Sequence, residues 1–259
     1  MQGLDRFQSG AVEVICLTDG DTVFAPEVFA GLPAETRAAR LTAAGLDVTA
    51  SQFNAYVLRH AGGIDLVDTG CGSLMGEKAG RMAALLAALD IAPDDVSRVI
   101  YTHLHGDHVG GSLSDGALVY PDAEVLLHRA EAVHWQGSDG MGARMLAQSQ
   151  RITLLEDGAD LGHGMTLWHL PGHTPGHCGL RMGPLALVAD IVHSEALQLP
   201  DPALSSSYDS DPALAAQTRR AALETVARED LIWSGSHMLG PQKFARLEQA
   251  GEGFRRIAP

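Results

Sequence analysis

Within Thr102-His103-Leu104-His105-Gly106-Asp107-His108-Val109-Gly110-Gly111, three imidazoles and one carboxylate fall in six consecutive positions. All four side chains suit a borderline cation such as zinc. Held so close without a cation, groups of this kind repel one another and are expensive to desolvate. The apolar stretch Val99-Ile100-Tyr101 leads straight into the cluster. That puts the cluster at a strand end, on the loop that follows, where sites are usually built.

Three later stretches carry donors of the same kind, each where a strand runs out. Leu170-Pro171-Gly172-His173-Thr174-Pro175-Gly176-His177 follows a strand at 165–170. Asp190 closes the apolar run Leu185-Ala186-Leu187-Val188-Ala189. His237 follows Leu231-Ile232-Trp233-Ser234, which reads as the last strand. Strand ends at one edge of a sheet sandwich converge, so donors far apart in sequence can share a site.

The remaining pattern supplies the elements that position these ends. Residues 12–17 read as a strand that stops at Asp19-Gly20-Asp21, and 33–45 as an Ala-rich helix. Residues 54–59 and 64–68 form a strand pair turned at Gly62-Gly63. Residues 75–89 keep a helical period, with Met82, Leu85, Leu86 and Leu89 on one side. Strands at 98–102 and 124–128 precede a mostly helical stretch, 129–150, broken at 137–140. A long helix spans 211–229, capped by Ser210 or Asp211 with Pro212 in its first turn. Strands and helices interleave without a linker, so the expected class is mixed α/β (α+β), in one domain over residues 1–259.

In combination, T-H-x-H-x-D-H-x-G-G, a G-H-T-P-G-H loop, an Asp at a strand end and a late His resemble the metallo-β-lactamase fold superfamily, from about Asn54 to His237. Val67-Asp68-Thr69-Gly70-Cys71-Gly72 matches the family's early D-T-G motif. The resemblance implies a four-layer αββα sandwich, with an N-terminal extension (about 1–50) reaching the site mouth. It implies two divalent metal ions, zinc being the expected metal. His103, His105 and His173 would hold the first, and Asp107, His108 and His237 the second, with Asp190 bridging both. Asp68 would orient ligands from behind, as carboxylates commonly do at metal-bound histidines. Positions left open for water and substrate distinguish such a catalytic site from a closed structural one.

Two ions about 3.5–4 Å apart bring the pKa of a shared water towards neutrality. The resulting hydroxide attacks a carbonyl carbon or a phosphorus while Asp107 accepts or passes on a proton. No G-x-S-x-G elbow supplies a rival nucleophile. The expected reaction is therefore metal-assisted hydrolysis. Asp190 stands where β-lactamases of this fold typically carry Cys or lack a bridging carboxylate, which disfavours antibiotics. A glyoxalase II-like thioester hydrolase would need a basic C-terminal glutathione site. The long helix before His237 and the tail Phe254-Arg255-Arg256-Ile257 look similar to the lactonase and methyl-parathion-hydrolase-like branch. The expected small-molecule substrate is an acyl-homoserine-lactone-like lactone or another carboxylic ester, with phosphotriesters secondary. Phe24 and Phe29 read equally as pocket wall and as ordinary core; His193, three residues past Asp190, is a further pocket candidate. A mononuclear iron persulfide dioxygenase is the rival on the same scaffold, and the intact Asp107, His108 and His237 set speaks for two ions.

Composition narrows the partners. The chain has 259 residues, 46% of them hydrophobic, enough for a sizeable core. Its 18 basic and 32 acidic residues give a net charge of −14, which argues against nucleic acid and anionic membranes. No apolar run reaches the roughly 18–20 residues of a membrane span, and the first residues do not read as a signal peptide. Three unpaired cysteines, Cys16, Cys71 and Cys178, point to a reducing cytoplasm. Members of the family often pair, but no patch in the sequence marks a homodimer.

Overall fold

The computed structural model describes residues 3–259. Two sheets stack face to face. The first orders β1 (Leu4–Ser9), β2 (Val12–Val23), β3 (Ala50–His60), β4 (Gly63–Val67), β5 (Val96–Tyr101), β8 (Glu124–His128) and β9 (Ile152–Leu155). A two-rung hairpin, β6 (Leu113–Ser114) and β7 (Ala117–Leu118), lies between β5 and β8 in the chain. The second sheet orders β10 (Asp160–Gly162), β11 (Met165–His169), β12 (Cys178–Met182), β13 (Leu185–Leu187) and β14 (Ile232–Ser234). The helices are α1 (Ala34–Ala43), α2 (Met82–Ala87), α3 (Gly106–Val109), α4 (Arg129–Trp135), α5 (Met141–Gln148), α6 (Glu195–Gln198) and α7 (Pro212–Arg228).

Side chains alternate across each strand, so a strand buried on both faces must be apolar throughout. In β2, Val12, Val14 and Cys16 enter the core between the sheets, while Ile15 and Leu17 turn to the helix side. Tyr56 and Leu58 against Ala55 and Val57 repeat this in β3, and Ile100 against Val99 and Tyr101 in β5. Met82, Leu85 and Leu86 of α2 and Met145 of α5 cover the outer face of the first sheet. Ala222, Leu223 and Val226 of α7 cover the second, with Ala186 and Trp233. Three interfaces separate four layers: helix, sheet, sheet, helix. This is the αββα sandwich.

Several boundaries differ from the sequence reading. β2 continues through Asp19-Gly20-Asp21 to Val23, crossing a bulge between Thr18 and Gly20. There the Asp19 carboxylate turns aside to accept from the backbone N–H groups of Cys71, Gly80 and Met82. The helix expected over 75–89 shrinks to α2. Gly76 and Gly80 take left-handed conformations, φ +56° and +91°, which end any helix. The apolar run before Asp190 leaves the sheet after Leu187 and enters a single 3-10 turn, Ala189–Ile191. β14 is not the last strand, because β15 (Arg246–Ala250) and β16 (Gly253–Ile257) form a hairpin that packs Leu247 and Phe254 beneath α7. β1, a polar strand of six residues, carries too little alternation to be read in advance.

Candidate metal centre

Parallel pairing brings the donors together. β4 and β5 run in register through Val67 and Ile100, so Asp68 and Thr102 emerge side by side. β13 and β14 pair Leu187 with Ser234, so the turns carrying Asp190 and His237 leave the second sheet together. The loop after β11 brings His173 across from the same edge.

The expected donors fall into two groups, His103, His105 and His173, and Asp107, His108, Asp190 and His237, while a third, His173, His193 and Asp209, lies on the far side of His173. In the first, His103 Nε2, His105 Nδ1 and His173 Nε2 lie 3.0, 3.0 and 3.2 Å apart. Tetrahedral Zn–N bonds of about 2.0–2.1 Å impose an edge of roughly 3.3 Å. Asp190 spans the two groups. Its Oδ2 is 3.0 Å from His237 Nε2 and 3.4 Å from His173 Nε2, and its Oδ1 is 3.2 Å from His108 Nε2.

The far side of each ring fixes its tautomer. His108 Nδ1 donates to Asp68 Oδ2 at 2.7 Å, His173 Nδ1 to Asp209 Oδ1 at 3.0 Å, and His237 Nδ1 to the Gln52 carbonyl at 3.0 Å. His103 Nδ1 reaches Thr102 Oγ1 at 3.1 Å, and that hydroxyl donates to Asp68 Oδ2 at 2.8 Å. With these protons committed outward, the Nε2 lone pairs face inward, towards one another and towards carboxylates. His108 Nε2 and Asp190 Oδ1 are buried without a hydrogen-bond partner. Converging lone pairs and orphaned buried donors are what a pair of divalent cations relieves, and the residues fit one.

Titration follows the same geometry. Burial, then the neighbouring imidazoles, hold His103 well below the ordinary range; burial and His173 bring His105 down to about 4. Burial alone would depress His108 too, but Asp190, Asp107 and Asp68 outweigh it and push it well up. Burial opposes the charge of Asp190, and His108, His237 and His103 overcome it to keep that carboxyl ionised. His177 is not in either group. Its Nδ1 donates to the Leu170 carbonyl and its Nε2 accepts from the Asp190 amide at 3.0 Å, so it steadies the turn that presents Asp190.

A cavity of about 460 Å³ opens over the donors. Val23, Phe24, Phe53, Met75, Tyr208 and His193 wall it, and among the described residues no lysine or arginine lines it. Phe24 faces this space. Phe29 does not: it is wholly buried behind Phe24, in a cluster with Val28, Leu32 and Leu197. His193 stacks on His237 at 5.0 Å between centroids, and both its ring nitrogens lack partners.

Sequence reasoning missed three supports. Glu131, fully buried, accepts from the Leu104 amide and Trp135 with one oxygen and from Thr174 and the Gly176 amide with the other. It thereby ties the first donor loop to the second. Asp209 and Arg219 meet behind His173. Each is one residue in a stretch with no local signature.

The profile of the metallo-beta-lactamase superfamily matches residues 48–237, and the chain belongs to that family. An N-acyl homoserine lactonase of Bacillus sp. is 28% identical over 172 residues, covering 64% of this chain and 66% of the relative. Its counterpart in Bacillus cereus is 26% identical over the same shares. The chain thus spans just under two thirds of the curated relatives it matches. Among solved structures, a hydrolase of the beta-lactamase superfamily, AbOPH, superposes with a TM-score of 0.91 at 25% identity, covering 100% of this chain and 98% of that one. AidC, a dizinc quorum-quenching lactonase in complex with its product, has the same TM-score and coverage at 22% identity. Within that family's fold, the chain brings together buried imidazoles and carboxylates able to hold divalent metal. Among the described residues no helix is long and apolar enough to cross a membrane.

Proposed function

We propose that this chain hydrolyses an uncharged lactone bearing an apolar acyl group, of the acyl-homoserine lactone type, at a two-zinc centre. The observation that carries the reading is the cavity: a floor of imidazoles and carboxylates beneath apolar walls without a cation. β-Lactams and glutathione thioesters bring a carboxylate that such walls would leave unpaired. An acyl chain, by contrast, buries apolar surface against Val23, Phe24, Phe53 and Met75 at roughly 0.8 kcal/mol per methylene. The lactonase relatives support the same choice.

In this reading His103, His105 and His173 hold one ion, Asp107, His108 and His237 the other, and Asp190 both. When bound, two such ions supply a Lewis acid and an acidified water at neutral pH. Burial works against the charge of Asp107, but His108 and His237 hold its carboxyl well below the usual range. Asp107, which lines the cavity, would accept the water's proton and return it to the leaving oxygen. His193 donates from an otherwise unpartnered ring nitrogen to the substrate's carbonyl or leaving oxygen. Phe24 packs the acyl chain from the N-terminal extension, and residues 1–259 act as one domain. The buried, unbridged thiols Cys16, Cys71 and Cys178 support a cytoplasmic setting.

The test is one panel: homoserine lactones with short and long acyl chains, an aryl ester, a β-lactam, a glutathione thioester and a phosphotriester, with metal content measured on the same sample. We expect two zinc ions per chain and the highest kcat/KM on long-chain lactones, with the phosphotriester slower. A preference for either carboxylate-bearing substrate, or one iron with thiol-dependent oxygen uptake, would overturn the proposal.

A further inference from the structure

Arg219 is 1% exposed, in the middle of α7, and its guanidinium reaches three separate segments. Nε donates to the carbonyl of Ile191, the residue after Asp190, at 2.6 Å. Nη1 donates to the carbonyls of Pro202 and Leu204 at 3.1 and 2.9 Å. Nη2 donates to Asp209 Oδ2 at 3.2 Å. Asp209 uses its other oxygen to accept from His173 Nδ1, and Oδ2 also accepts from the Ser206 amide at 2.8 Å. Both oxygens of Asp209 are therefore engaged, and it is a prop for His173, not a donor to an ion. The Leu204 carbonyl also accepts from Gln198, whose Oε1 takes the amides of His193 and Ser194.

We infer that Arg219 is a positioning residue that sets both halves of the metal centre at once. Through Ile191 it fixes the turn carrying Asp190, the carboxylate shared by the two donor groups. Through Asp209 it fixes the ring of His173, which belongs to the first group alone. A guanidinium spreads its N–H donors over three nitrogens in one rigid plane and so spans acceptors on three segments; a lysine presents its three donors from a single atom and cannot reach them all. Burying that charge is unfavourable unless it is paired and hydrogen-bonded, and here one carboxylate and three carbonyls do both. An apolar residue would fill the space at lower desolvation cost, so what the arginine adds there is alignment.

The inference rests on the metal-centre reading. It separates two variants. Asp209→Asn can keep its oxygen on Arg219 Nη2 and the Ser206 amide while turning its NH2 to His173 Nδ1, so the hold on His173 is what it chiefly loses; one ion should leave faster and the other near the parent's rate. Arg219→Lys frees the Asp190 turn as well, so both ions should leave faster. Losing the outer partner of a ligand typically costs 10–100-fold in metal affinity, so we expect each accelerated phase to be at least about tenfold faster. Arg220→Lys, on the exposed side of the same helix, is the control.

The measurement loads each folded protein with zinc, confirms its fold by circular dichroism and follows release to 4-(2-pyridylazo)resorcinol. One fast phase in Asp209→Asn and two in Arg219→Lys, with Arg220→Lys matching the parent, support the assignment. Parent-like release from Arg219→Lys overturns it, even if that variant melts earlier, because a merely structural arginine would lower the melting temperature without moving release. A parent that holds fewer than two ions overturns the metal-centre reading itself, an outcome visible before any variant is made. Should Arg219→Lys fail to fold, identical release from Asp209→Asn and the parent still sinks the proposal.

Discussion

Thr102 holds both oxygens of Asp68. Its amide donates to Oδ1 and its hydroxyl to Oδ2, each at 2.8 Å. Asp68 sits at φ +62°, a conformation aspartate tolerates better than most residues, and that turn aims Oδ2 at His108 Nδ1. Asp68→Asn replaces one acceptor by an amide that faces either the Thr102 N–H or the His108 N–H. We expect a 10–100-fold loss of zinc affinity, read by competitive chelation, with little change in the fold.

Asp190 touches nitrogens from both donor groups, so Asp190→Asn removes half the shared charge from each. Metal stoichiometry should fall below two per chain, and kcat/KM by at least about a hundredfold, the upper end for losing even an outer partner. Elemental analysis on the assayed sample checks both. Near-parent turnover with a full complement would remove Asp190 from the bridging role.

Gly110 and Gly111 end the first donor motif because another loop lies against them. A Cβ on Gly110 would stand 2.2 Å from the Cys71 carbonyl oxygen, and one on Gly111 2.1 Å from that of Thr69. Gly111→Ala must therefore push the Asp68–Cys71 loop away from His108, whose carbonyl accepts from the Thr69 amide at 2.7 Å. Overpacking of this kind typically costs about 1–3 kcal/mol. Urea unfolding should show that loss, together with faster zinc release than the parent.

Lys243 is buried with its Nζ on Gln52 Oε1 and the Met238 carbonyl, both at 2.6 Å, and on no carboxylate. Burial brings its pKa from 10.5 down to about 8. The unfolded chain then binds more protons between these values, so the protonated lysine penalises folding below pH 8 and the penalty fades as pH rises towards 10.5. Lys243→Met should flatten that rise, by up to about 3 kcal/mol between the two limits. Stability curves of parent and variant that stay parallel across the range would contradict this.

How far the sequence could be read follows from where information is local. The donors in 102–111 lie on one short stretch, the loop after β5 and the turn of α3, and their spacing alone suggests a cation. The inner strands of the first sheet, β2 to β5 and β8, announce themselves because both faces are buried and most of their residues are apolar, whereas the edge strands β1 and β9 do not. Asp209 and Arg219 give no such signal. Their meaning comes from a tertiary meeting between α7 and the loop before it. Phe29 shows the opposite failure, since an aromatic near a site mouth has the same spelling whether it faces a cavity or the core. Gly76 and Gly80 overrode a good helical period, because backbone conformation outranks side-chain spacing.

The donors enter the chain at His103 and are complete only at His237. A nascent polypeptide short of that last histidine leaves the second group able to seize a stray ion but unable to enclose it. If the two groups hold metal as proposed, the first is complete once His173 and Asp190 are made and only the second waits for His237, so a chain truncated before β14 should hold at most one ion.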